Sequence, residues 1–260
     1  MIDKGVEGGH MFDLVNDVSP RSAIAEPKPG QTDKRHSLLV RLWHWINALA
    51  VITLIMSGAS ISNAHPRLYW GQYGANPDRA WLILPEFPGW MTIPSYYSLA
   101  DGRLWHFFFA WVLAISLSIY LTAGVASGRL WRTYRIAGPD LAPNKLWDQI
   151  RSHARLRFGS HAEYNTLQKL AYLMVVVLLI PIAIATGMAL SPGLDAAFHW
   201  LPAMFGGRPS ARSIHFIVAT ALAAFLIGHV LLVLLSHPVS LLRGMVTGGR
   251  PARAARSTNP

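Results

Sequence analysis

The sequence predicts an all-α integral membrane protein, a bundle of four transmembrane helices with a long structured loop between the first two. Of its 260 residues, 52% are hydrophobic and only 14% are charged, whereas a typical soluble domain carries about 25% charge. Four apolar segments cover residues 38–61, 104–127, 167–190 and 212–236. Each exceeds the roughly 20 helical residues that cross a bilayer. Since backbone in lipid must satisfy its own hydrogen bonds, all four are predicted to be helices.

The distribution of basic residues predicts that both termini are cytoplasmic. Eighteen of the 23 Lys and Arg residues fall on one side: six up to residue 41, eight within 128–169 and four after 236. Five remain for the other side, Arg67, Arg79, Arg103, Arg208 and Arg212. This bias follows the positive-inside rule of a bacterial inner membrane. The net charge of +10 is therefore explained by the orientation of the chain in the membrane, and a nucleic-acid partner is excluded.

Three regions are expected along the chain. Residues 1–37 are polar and rich in Gly and Pro, which predicts an extended cytoplasmic tail without a cleavable signal peptide. Residues 38–248 form the transmembrane domain, and 249–260 form a basic cytoplasmic tail. The periplasmic loop 62–103 is rich in aromatic residues; it is read either as an interfacial aromatic belt or as a docking platform. The inner segment NKLWDQIRSHARLRF (144–158) predicts a helix lying on the membrane surface.

Four histidines lie inside the predicted spans, where ionisable groups are costly and usually functional. The predicted topology puts His106 and His215 at the outer level, and His44 and His229 at the inner level. His215 and His229 are fourteen residues apart on one helix, about 21 Å along its axis and nearly on one face. Histidines in the loops, His65 and His199 among them, are expected to be solvated.

Two histidines from different helices at one depth predict the axial ligands of a non-covalent haem. His106 would pair with His215, and His44 with His229. Such a haem has no open coordination position, so electron transfer is expected rather than oxygen chemistry. Gly58 and Gly124 are each predicted to make room for a haem, although small-residue helix packing explains them equally well.

Other chemistries fit the residues less well. The chain has no cysteine, which excludes thiolate metal sites, iron–sulfur clusters and covalently attached haem c. A zinc site needs three or four converging ligands, and each level offers two histidines. The four spans contain no carboxylate, which argues against a proton or ion transporter.

These features resemble the bacterial di-haem cytochrome b membrane subunits, a group that includes the cytochrome b-561 proteins and the b subunits of nickel–iron hydrogenases, formate dehydrogenases and thiosulfate-reductase-type molybdoenzymes. The resemblance rests on RLWHW (41–45), RLWHF (103–107) and the two histidines fourteen residues apart. It covers about residues 36–248. It implies an outer haem b on His106 and His215, an inner haem b on His44 and His229, a quinone site near the inner haem, and an external redox partner.

The resemblance also suggests further contacts at the inner level. Arg35 and Arg41 are candidate partners of the haem propionates, with snorkelling to lipid phosphate as the alternative. Quinone candidates are Asn165, Gln168, Lys169 and His36. Asn165 and Gln168 are equally explained as the capping box that starts the third helix.

The expected function is electron transfer between the quinone pool and a periplasmic partner, which would be a molybdopterin oxidoreductase, a hydrogenase or a c-type cytochrome. A stand-alone superoxide:quinone oxidoreductase is the first alternative; it would need a cationic funnel toward the outer haem. A membrane anchor without redox function is the second. The direction of electron flow is left open, and a homodimer is compatible with the sequence.

Overall fold

The structure is a computed structural model that describes residues 38–73, 79–154, 166–236 and 238–248. The predicted tails, 1–37 and 249–260, lie outside the described residues. So do Arg35, His36 and Asn165.

The four predicted membrane spans are confirmed as long apolar helices. Helix α1 covers Leu38–Ala64, and after the loop α2 covers Leu99–Ala126. The third span begins as α5 (Thr166–Leu173), passes through a π-helical turn (Met174–Leu179) and continues as α6 (Ile180–Leu190). The wide turn ends just before Pro181, whose missing N–H prevents a regular helical hydrogen bond. The fourth span is α9 (Arg208–Leu235), and α2 and α9 both contain 28 residues.

The other elements are short and lie at the two ends of the bundle. Strands β1 (Arg67–Leu68) and β2 (Leu82–Ile83) pair antiparallel in the first loop, which also holds a 3-10 turn at Gly89–Met91. After α2 come α3 (Arg129–Tyr134), a 3-10 turn at Gly138–Leu141 and α4 (Pro143–Ala154), a helix within the segment predicted to lie on the membrane surface. Residues 155–158 of that segment lie outside the described residues. Helices α7 (Pro192–Ala197) and α8 (Trp200–Met204) connect α6 to α9, and α10 (Pro238–Thr247) follows α9.

The bundle consists of two helical hairpins. Helix α1 packs mainly against α2, and α6 packs mainly against α9. The hairpins meet in one apolar core, whose buried members are Ala50, Leu113, Leu117, Val175, Ile180, Val218 and Leu222. Many large apolar side chains are exposed on the outside of the bundle, as expected when lipid is the surrounding solvent.

The first loop, predicted to be structured, folds onto one end of the bundle. The indole of Trp81 donates a hydrogen bond to Ser213 Oγ (2.9 Å), and Ser213 donates to the carbonyl of Tyr69 (2.6 Å). The side-chain amide of Asn63 exchanges two hydrogen bonds, each 2.8 Å, with the backbone of Phe87. We call this end, which carries residues 65–73 and 79–98, the loop end, and we call the other the opposite end.

Candidate functional site

The structure brings the four predicted histidines together as two pairs. The ring centres of His106 on α2 and His215 on α9 are 6.1 Å apart, with their planes at 65°. The ring centres of His44 on α1 and His229 on α9 are 6.4 Å apart, with their planes at 62°. The first pair lies toward the loop end and the second toward the opposite end. Helix α9 therefore contributes one imidazole to each pair.

Both separations suit a metal held between two imidazoles. With a metal–nitrogen bond of about 2.0 Å and a ring centre about 1.1 Å beyond each nitrogen, two axial imidazoles have centres about 6.2 Å apart. Among the described residues, no three metal-ligating side chains of the His, Asp or Glu type converge. Two ligands from opposite sides match a haem, whose macrocycle supplies the other four.

Hydroxyl groups fix the tautomer of the loop-end pair. Ser57 Oγ lies 3.0 Å from His106 Nδ1, and Thr186 Oγ1 lies 2.9 Å from His215 Nδ1. Each hydroxyl donates its own proton to the carbonyl four residues earlier, that of Thr53 at 2.6 Å and that of Ile182 at 2.7 Å. The hydroxyls must then accept from the rings, so each Nδ1 carries the proton. Each Nε2 consequently keeps its lone pair, which is the form that binds iron.

Small residues let the two rings sit close to the neighbouring helix. A Cβ on Gly58 would lie 3.6 Å from His106 Cε1, and one on Gly187 would lie 3.4 Å from His215 Cε1. At Gly124 the nearest neighbour of an added Cβ is the side chain of Leu130, at 2.7 Å. Gly124 thus accommodates helix α3, and its predicted haem contact stays a prediction.

The loop-end site repeats one arrangement on both hairpins. His106 and His215 each stand seven residues after the first residue of their 28-residue helix. In each hairpin the preceding helix offers a hydroxyl residue followed by glycine, Ser57–Gly58 and Thr186–Gly187. Of these four residues, only Gly58 was predicted from the sequence to contact a haem. The available signal was the hydroxyl–glycine dipeptide inside an apolar span.

The opposite-end pair is built differently. The ring of His229 stacks on Phe225 with centres 6.0 Å apart, and His44 contacts Trp45 edge-on at 5.4 Å. Trp45 also donates from its indole to the carbonyl of Met245, 3.2 Å away in α10. Contacts here are mainly aromatic, and they tie α10 to the start of α1.

One basic residue near this pair has an unsatisfied group. Arg41 stands three residues before His44, and its Nε is buried without a hydrogen-bond partner among the described residues. A buried guanidinium nitrogen without an acceptor is costly. A carboxylate at this position would remove that cost, so Arg41 fits its predicted contact with a haem propionate.

The predicted quinone residues are only partly described. Lys169 Nζ donates to the carbonyl of Arg135 (3.4 Å), which links α5 to the segment after α3. The backbone N–H of Leu167 donates to Gln149 Oε1 at 3.0 Å, so a side chain from α4 caps the start of α5. Gln168 also takes part in side-chain or electrostatic interactions. The structure places Lys169 and Gln168 at the opposite end, and their contact with quinone stays a prediction.

A basic cluster lies at the loop end. His65, the first residue after α1, has a buried Nε2 without a hydrogen-bond partner among the described residues, although the sequence predicted a solvated ring. Its burial and the positive charges of Arg212 and Arg103 lower the pKa of His65. Arg208, in contrast, is neutralised by Asp195 at 2.6 Å and also donates to the carbonyl of Leu190.

Comparison with known proteins gives two matches. Residues 35–248 match the family model described as prokaryotic cytochrome b561. A curated protein of Azospira oryzae, named putative protein-methionine-sulfoxide reductase subunit YedZ1, is 34% identical over 213 residues, which is 80% of this chain and 96% of that protein. No solved structure matches the chain.

Proposed function

Because the chain belongs to the prokaryotic cytochrome b561 family, we propose that it is the electron-transfer subunit of a membrane-bound reductase. It would bind two haems b and pass electrons from quinol to a catalytic subunit on the outer face of the bacterial inner membrane. Its family and its four long apolar helices identify the chain as a multi-pass membrane protein of electron transport. The number of haems, the quinone and the partner are the proposed part.

The observation that carries the proposal is the pair of histidine sites at opposite ends of one bundle. Helix α9 supplies His215 to one site and His229 to the other, about 21 Å apart along the helix. A bound haem supplies one-electron redox chemistry at each site. Two imidazoles occupy both axial positions, so the residues favour electron transfer over ligand binding at iron.

The charges support one orientation. Arg132, Arg135, Lys145 and Lys169 all lie at the opposite end, which favours a cytoplasmic position for that end by the positive-inside rule. The loop end then faces the periplasm. In this orientation the His106–His215 site exchanges electrons with the partner, and the His44–His229 site receives them from quinol.

The relative supports the choice of partner. Of the partner classes expected from the sequence, an oxidoreductase fits best, because the Azospira oryzae protein is named as a subunit of a protein-methionine-sulfoxide reductase. A reductase consumes electrons, so the flow would run from quinol outward. We propose the same partner type for this chain, with the folded first loop as part of the docking surface.

Haem stoichiometry tests the two sites. We expect two haems b per purified chain, and one after His215→Ala or His229→Ala. Because His106 and His215 share a site, the double variant His106→Ala/His215→Ala should also keep one haem, whereas His215→Ala/His229→Ala should keep none. His199→Ala, in a loop at the loop end, is the matched control and should keep two. Unchanged haem content in His215→Ala would refute the site assignment.

Electron-transfer assays separate the proposal from its alternatives. A quinol analogue should reduce both haems in the wild-type chain and leave the His106–His215 haem oxidised after His229→Ala. Reduction of quinone by superoxide without any further subunit would favour the superoxide oxidoreductase instead. If quinol still reduces the partner after all four histidines are replaced, the chain serves only as a membrane anchor.

A further inference from the structure

We propose that Arg103, Arg212 and His65 form a carboxylate clamp that holds the propionates of the haem bound between His106 and His215. This proposal rests on the proposed function, since it requires a haem at that site. It gives a binding role to three residues at the loop end, of which the two arginines are predicted from the sequence as periplasmic charges and His65 as a solvated loop residue.

The first argument is position. Arg103 stands three residues before His106, and Arg212 stands three residues before His215. Residues three apart are neighbours on one helix face, and the axial step is about 4.5 Å. In both helices that step leads toward the loop end. Each arginine is therefore one turn nearer to water than the histidine that it precedes.

The second argument is where a haem must put its charges. Propionates are carboxylates, and a charged group deep in a membrane is expensive. A haem near the loop end therefore turns its propionate edge toward that end, which is the level of Arg103 and Arg212. Guanidinium groups bind carboxylates through paired, charge-assisted hydrogen bonds.

The third argument is that the cluster lacks an anion of its own. Among the described residues, neither Arg103 nor Arg212 forms a hydrogen bond or ion pair. Two carboxylates at this end have other partners: Asp195 binds Arg208, and Asp101 accepts from the Tyr96 hydroxyl at 2.9 Å. Both arginines are exposed at this end, so a carboxylate that reaches this level can form charge-assisted hydrogen bonds with their guanidinium groups.

The fourth argument is the unsatisfied atom of His65. Its Nε2 is buried without a partner, and Arg103 and Arg212 lie close enough to act on its charge. A carboxylate among these three groups would accept a hydrogen bond from Nε2 and so give that atom a partner. Arg212 also lines a small cavity of about 120 Å³ with Tyr69, Arg208 and Pro209, which leaves space beside its guanidinium.

The same pattern recurs at the other site. Arg41 stands three residues before His44, and α1 runs in the opposite direction to α2 and α9, so Arg41 lies nearer the opposite end than His44. Its buried Nε also lacks a partner. Three of the four histidines thus have an arginine one turn nearer to the adjacent membrane surface. A shared requirement at both sites, such as a propionate, accounts for the repetition.

The test uses the purified holoprotein with Arg103→Gln, Arg212→Gln and His65→Gln, and with Arg79→Gln as the matched control. Arg79 is exposed in the same loop but does not act on His65. Haem transfer to excess apomyoglobin and the midpoint potential of each haem are measured. Either arginine variant should release the His106–His215 haem about tenfold faster, because a charge-assisted hydrogen bond contributes that much. Its potential should fall, since an uncompensated propionate favours ferric iron.

Several outcomes decide between explanations. Arg212→Lys should restore most of the potential, because the charge remains, but only part of the slow haem release. Unchanged release and potential in both arginine variants would overturn the clamp. If only electron exchange with an external protein changes, the cluster is a docking patch for an acidic partner, and the clamp is again overturned. Absence of haem from the wild-type chain would instead refute the proposed function.

Discussion

Thr186→Val should loosen the haem at the loop end without removing a ligand. The substitution keeps the shape of a fully buried side chain and deletes only its hydroxyl. That hydroxyl accepts from His215 Nδ1 at 2.9 Å. Without it, the Nδ1 proton loses its acceptor and the ring loses the contact that sets its orientation and raises its basicity.

The structure sets the size of the effect. Leaving a buried donor unsatisfied costs about 1–3 kcal/mol. The carbonyl of Ala183 also interacts with the His215 ring, so part of the loss is recoverable, and we expect about 1–2 kcal/mol. This corresponds to roughly 5- to 30-fold weaker haem retention. The midpoint potential of that haem should rise, because a less basic imidazole stabilises ferric iron less.

The assay is haem release to apomyoglobin together with a redox titration of the purified protein. Thr186→Ser keeps the hydroxyl and should behave like the wild type. Thr220→Val is the control for loss of a hydroxyl on α9, because Thr220 is exposed and, among the described residues, its hydroxyl bonds only to the carbonyl of Phe216. Equal haem retention in Thr186→Val and Thr220→Val would refute the orienting role of the hydroxyl.

Three further predictions follow from the same geometry. Gly187→Val should displace the His215 ring, whose Cε1 lies 3.4 Å from an added Cβ, and lower haem content, whereas Gly228→Val beside His229 meets open space and should not. Because the imidazole planes cross at 65° and 62°, both ferric haems should give strongly anisotropic low-spin EPR signals; the weakly anisotropic signals of parallel rings would contradict this. The pKa of His65 is lowered in the folded protein. As pH falls through 6.5, the unfolded chain therefore binds a proton at this residue before the folded chain does, which favours unfolding. The haem-free protein should consequently be less stable in thermal unfolding at about pH 5.5 than at about pH 7.5. His65→Gln should weaken this pH dependence of stability. An equal pH dependence in the wild-type protein and in His65→Gln would contradict the role of His65.

Sequence patterns were sufficient to predict the spans because lipid imposes a simple requirement of length and hydropathy. The structure extends that prediction mainly at the loop end, where α2 begins at Leu99 and α9 at Arg208, several residues before the apolar segments. Polar residues continue the helices there because the helical backbone remains the best way to satisfy its own hydrogen bonds. The folded loop was also predictable in kind, although its partners on α9, Ser210 and Ser213, were not.

The pairing of histidines could be derived from depth alone, but their neighbours could not. Depth depends on the rise per residue and on topology, both of which a single chain provides. The contact of Thr186 with His215 depends on how α6 rotates against α9, which no periodicity in an almost uniformly apolar segment specifies. The same limit applies to Gly124, whose neighbour is Leu130 on the following short helix.

If both sites bind haem as proposed, they would be tuned by different means. At the loop end, each imidazole donates to a buried hydroxyl, so Ser57 and Thr186 would set the basicity of the two ligands. At the opposite end, His229 stacks on Phe225, and its Nδ1 has no hydroxyl partner among the described residues. Hydrogen bonds to the ligand lower the potential, whereas nearby arginines raise it. In this account the loop-end haem is subject to both effects, and its potential reflects the balance between the two hydroxyls and the cluster of His65, Arg103 and Arg212.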